Sequence, residues 1–122
     1  MAVTYTTAVK NDRLTAVATA AGATAVLEIG TTAMASILAT IPLDNPIGTA
    51  SGGVLTLTMP QSDTSADATG TAAAARIRTT TAGTDIITGL TVGLSAADVI
   101  LDSLSITAGQ TVTINSAAIT HA

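Results

Sequence analysis

The chain has 122 residues, eight acidic and four basic side chains, and a formal net charge of −4. It contains no Cys, Trp or Phe, one Tyr and one His. This excludes disulfide scaffolds, thiolate zinc sites and redox thiols, and leaves little from which to build a nucleophile–base pair, a metal cage or an aromatic-walled pocket.

Lys10, Arg13, Arg76 and Arg78 form no basic stripe, so phosphate backbones are not expected partners. No segment approaches the roughly 20 apolar residues of a membrane helix, and Met1 to Lys10 has no apolar run of signal-peptide length. Neither a cofactor nor a small-molecule substrate is expected. The length suits one domain, 1–122. Ala and Thr each supply roughly a fifth of the residues, far above ordinary usage. The mean hydropathy of +0.59 therefore owes much to Ala, whose burial gains little beside the roughly 1.5–3 kcal/mol of a buried Leu or Ile. A shallow core and a surface with few charges suggest a subunit that meets other protein.

In chain order, residues 1–10 read as an N-terminal arm. Asn11 and Asp12 can cap a helix over about 11–22, with Leu14, Val17, Ala18 and Ala21 on one face and Gly22 to end it. Short runs rich in Val, Ile, Leu and Thr follow, separated by Gly, Asp, Asn, Ser and Pro. Seven strands are expected: Ala25 to Ile29, Ala35 to Ile41, Gly53 to Thr58, Thr71 to Thr79, Asp85 to Val92, Val99 to Ile106 and Thr111 to Thr120. Their spacing suggests a mainly all-β fold, an antiparallel β-sandwich of about seven strands with one short N-terminal helix. Leu55, Leu57 and Met59 share a face opposite Thr56 and Thr58, and Val112 and Ile114 turn away from Thr111, Thr113 and Asn115. The four Ala of Thr71 to Ala75 favour a helix by propensity, but Gly70 before them and the Thr79-Thr80-Thr81 run after them favour a strand. Asp44 to Gly53 reads as a long turn and Gln61 to Thr69 as a polar loop.

Candidate sites are sparse. His121 has no elbow or triad setting and reads as an exposed terminal residue. Asp63 with Asp67, and Asp98 with Asp102, lack the alternating spacing and closing Glu of a calcium loop and read as turn caps and solvated edges. Arg76 and Arg78 project from one strand face and could grip carboxylates of another subunit, although solvated edge charge is the preferred reading. The Thr-x-Thr pairs at Thr56/Thr58 and Thr111/Thr113 lack the fixed period of an ice-binding surface. No catalytic, cofactor or metal residue is assigned. The candidate interface set is Tyr5, Arg76, Arg78, Asp44, Asn45, Asp63 and Asp67.

The succession AVKNDRLTAVATAAG, LEIGTTAMASILATIPLDNP, SGGVLTLT, SDTSADATGTAAAARIRT and ITAGQTVTINSAAIT resembles a family of small structural proteins of tailed phages and prophages. Ser62 to Ile77 and Ser105 to Val112 are its most specific pieces. The resemblance implies a virion component made in the host cytoplasm. The preferred role is a capsid cement or decoration protein on the outer shell, partnered by the major capsid protein and by itself as a homo-oligomer, commonly a trimer. Contacts are expected from the arm and from the loops around Asp44 to Gly52 and Gln61 to Thr69. A tail, baseplate or fibre-associated subunit is the alternative, and a host-surface binding module is a third reading.

Overall fold

The computed structural model describes residues 5–45, 47–59, 61–80 and 83–120. The fold is mainly β with one helix, α1 (Thr7–Ala21). The strands are β1 (Val26–Gly30), β2 (Ile37–Pro42), β3 (Gly48–Ser51), β4 (Val54–Leu57), β5 (Gln61–Asp63), β6 (Gly70–Thr71), β7 (Ala74–Arg78), β8 (Asp85–Gly93), β9 (Val99–Leu101), β10 (Ser105–Ile106) and β11 (Val112–Thr120).

The helix begins earlier than the sequence suggests. Thr6 is its N-cap, its hydroxyl accepting from Val9 N at 3.4 Å, so residues 7–10 are helix rather than arm. Asn11 has another task, because its Oδ1 accepts from Gly53 N at 2.9 Å and ties the helix to the β3–β4 turn. The expected buried face is present, with Leu14, Ala18 and Ala21 against the core and Val17 beside them.

The main sheet runs β2-β1-β7-β8-β9-β11-β4-β3, and β5 also pairs with β11. It curls into a half-barrel around an aliphatic core that includes Leu27, Ile29, Leu38, Ile41, Ile77 and Ile114. β4 and β5 follow one edge of β11 in the same direction, with a one-residue slip of register between them. At the end of the curl β5 approaches β2, and a short seam joins them. Thr40 N donates to Asp63 Oδ2 at 3.0 Å, Thr40 Oγ1 to Asp67 Oδ2 at 2.9 Å, and Asp67 N to Leu38 O at 2.7 Å.

This architecture differs from seven antiparallel strands in two ways. First, two expected strands are divided. Thr71 to Thr79 becomes β6 and β7, and Val99 to Ile106 becomes β9 and β10, because β6 and β10 leave the sheet to pair with one another. Second, β8 and β9 are parallel over Val92↔Val99 and Gly93↔Ile100. So short a link normally reads as a hairpin, since parallel neighbours need a long crossover. Here the Asp98 carboxylate accepts from Thr91 N at 3.0 Å and Thr91 Oγ1 at 3.1 Å, which turns the chain back beside its own strand.

The long turn expected at Asp44 to Gly53 contains a strand. Gly52 (φ 61°) and Gly53 (φ 78°) make a two-residue turn that returns β3 along β4, the geometry that needs positive φ at both central positions. Likewise the Gln61 to Thr69 loop begins as β5. The alternations of β4 and β11 hold: Leu55, Leu57, Val112 and Ile114 are buried, while Thr56 and Asn115 are exposed.

Candidate functional site

Two places on the molecule concentrate polar or unpaired groups. One is a charged cluster on the outer face of β1 and β7. Leu27 and Ile29 face the core, so Glu28 between them faces outward, opposite Thr40 on β2 and Arg76 on β7. It is nevertheless only 4 % exposed, because two arginines lie over it. Arg76 Nε donates to Glu28 Oε1 at 2.7 Å, and Arg78 Nη1 stands 3.7 Å from the same oxygen. Arg78 Nη2 donates to Gly83 O at 2.7 Å, and its Nε lies 2.9 Å from Asp85 Oδ1. That last N–H is not aimed at the oxygen, so the contact is Coulombic rather than a hydrogen bond.

The arginines are therefore not the solvated strand charges that the sequence suggests; each side chain is 21 % exposed and engaged by its own chain. Glu28 carries no motif and escapes sequence reading. Its one signal is an acid flanked by Leu27 and Ile29, a polar position on a strand whose outer face would otherwise be apolar.

Asp63 does cap a turn, its Oδ1 accepting from Ser65 N at 3.0 Å, while its Oδ2 and Asp67 Oδ2 close the β2–β5 seam. The structure thus brings Arg76 and Arg78 together over Glu28, and Asp63 and Asp67 together at Thr40. Tyr5, Asp44 and Asn45 lie elsewhere and outward. Tyr5 is 42 % exposed just before α1, with the Arg13 guanidinium 4.6 Å from its ring centre. Of the expected arm, residues 1–4 lie outside the described residues, as does His121. Among the described residues no group of three or more acidic or His side chains could hold a metal ion, and no helix is long and apolar enough to cross a membrane.

The second place is a cleft of about 480 Å³ between α1 and the β3–β4 hairpin. Thr15, Ala18 and Thr19 form its helical wall. Gly48, Thr49 and Ala50 form the strand wall, Leu55 lies at its floor and Asn45 at its rim. Every one of these side chains is uncharged. β3 is the last strand of its sheet, so its outer edge faces this space. A side chain at Gly48 would collide with the Thr56 carbonyl, which makes that position glycine-only. Chemically the cleft offers backbone donors and acceptors between small walls, and no reactive group.

Comparison with known proteins returns no matching family model, no matching curated protein and no matching solved structure.

Proposed function

We propose that the protein is a structural subunit of a tailed-phage particle, a capsid cement or decoration protein that stabilises the outer shell by burying seams between capsomers. The observation that carries this reading is the use of charge. Six of the eight acids, Glu28, Asp63, Asp67, Asp85, Asp98 and Asp102, make hydrogen bonds or ion pairs within the chain. Arg76 and Arg78 do the same, and Arg13 stacks on Tyr5. Thr, Ser, Ala and Gly fill most of the exposed positions. Such a surface is cheap to desolvate against protein and suits broad, uncharged contact.

On this reading the curled sheet and its flared hairpin act as the two layers of a β-sandwich. Contact residues are drawn from the outward-facing members of the candidate set, Tyr5, Asp44 and Asn45. Many modest contacts per oligomer would add as multivalent binding, so loss of one does not release the subunit. The acidic balance favours the outside of the shell over its DNA-facing side.

The test is direct reconstitution. Purified protein added to shells that lack it should co-sediment with them and raise the temperature at which they release DNA. Failure to co-sediment would contradict the proposal.

A further inference from the structure

The connection from β1 to β2 is a closed hairpin held in a strained form. Thr31 N donates to Ser36 O at 3.0 Å, and Ser36 N donates to the Thr31 hydroxyl at 3.0 Å. Residues 32–35 turn the chain between them, with Met34 N donating to Thr31 O at 2.8 Å. Ala33 and Met34, at the centre of that turn, both have φ of 58°. Neither is Gly, Asn or Asp, and a left-handed backbone is costly for other L-residues. Such strain persists only where the surroundings impose it, and here the pairing of β1 with β2 does so.

Little else holds the turn closed. Thr32, Ala33, Ala35 and Ser36 are exposed, and Met34 is half-buried with its thioether against Gly30. The segment contains no Pro, and Thr31 and Thr32 suit extended backbone. Straightened, residues 31–36 take strand geometry and both left-handed residues are relieved.

We propose that this hairpin is a hinge through which two copies of the chain exchange α1 and β1, forming a swapped two-fold dimer. In it β1 and β2 of one chain run on as one long strand, antiparallel to the same strand of the second copy. Gly30 pairs with Ile37 within the hairpin. The same pairing between copies brings Ala33 opposite Met34 and Met34 opposite Ala33, with the two-fold axis between them. Thr31 keeps Ser36 as its partner, now from the other copy. The ladder therefore runs through the hinge in the register already set, and bonds between strands replace those of the turn.

The contacts that open also fix the occupant. Within the chain Leu27 and Ile29 fill the core, Glu28 takes Arg76 and Arg78, and Asn11 accepts from Gly53 N. The same segment of a second copy restores every one of these contacts, whereas a different chain would leave the two guanidiniums without their carboxylate. Exchange thus adds pairing at the hinge and removes strain, at the cost of the turn's own bonds. The entropy of association opposes it, so the closed monomer holds at low concentration and the dimer gains at high concentration. The exchange is independent of whether the protein is carried on a virion.

The full chain, refolded from denaturant over a concentration series and separated by size, should give an 11.9 kDa monomer and a dimer of twice that mass whose share rises with concentration. Because β1 must leave the sheet before the chains part, the isolated dimer should dissociate after dilution only as slowly as the protein unfolds. Ala33→Gly with Met34→Gly removes the strain and should lower the dimer share roughly tenfold or more. The chain has no Cys, so Val26→Cys with Pro42→Cys places a single pair across β1 and β2. Oxidising the dimer of this variant, refolded under reducing conditions, should link the two chains covalently, while its monomer closes the disulfide internally. A dimer whose disulfides stay within each chain is a surface contact and would overturn the proposal. So would a chain that stays monomeric at the highest refolding concentration, or a dimer share unmoved by the two glycines.

Discussion

At the residue scale, one buried carboxylate organises much of the outer sheet face. Glu28 holds two guanidiniums, and removing one partner of a buried charge group leaves the others uncompensated, at a cost of about 3 kcal/mol. Glu28→Ala should therefore lower the melting temperature by about 10 °C. Because the cluster is largely shielded, its contribution should change little between low and moderate salt. Melts of the variant and the wild type at two ionic strengths check both statements. A different strain lies at Ala33, whose φ of 58° places an L-residue in the left-handed region. Ala33→Gly removes a steric cost of about 1–2 kcal/mol against a smaller loss of chain entropy, so the urea midpoint should rise. Neither residue is marked in the sequence. Glu28 sits in no motif, and a left-handed alanine is set by the loop around it rather than by its own preference.

At the level of elements, the sequence is legible where side-chain period and burial coincide. Leu55 and Leu57 alternate with Thr56 because one face of β4 meets the core, and the same holds for Val112 and Ile114 on β11. Arg76-Ile77-Arg78 likewise announces a strand with one buried position. Legibility fails where pairing depends on distant partners. Nothing near Thr71 tells that it leaves the main sheet for Ser105, and nothing near Thr91 tells that Asp98 will fold back on it in parallel. The helix start is not legible, because Asn11 is the better cap by preference and the contact that diverts it comes from Gly53, 42 positions along the chain from Asn11. The β2–β5 seam makes its own prediction. Asp63→Ala leaves Thr40 N and Ser65 N without their acceptor and should cost about 1–3 kcal/mol. Hydrogen exchange should show the Thr40 amide losing protection while the β1–β7 ladder keeps it.

At the scale of the whole molecule, several of the few charges are engaged within the chain, and Thr, Ser, Ala and Gly fill most of the exposed positions. Tyr5, Asp44 and Asn45 were legible as outward residues because they sit in polar or turn-forming surroundings. Arg76 and Arg78 read in the sequence as solvated edge charges, and Asp63 and Asp67 as turn caps, because their partners Glu28 and Thr40 lie on strands that only the folded sheet brings alongside. The central claim, a shell subunit acting through contact area, is tested most directly by counting copies of the protein per purified particle by mass spectrometry against the major capsid protein. The account predicts parity or a simple large fraction of that count, whereas a handful of copies, or none, would contradict it.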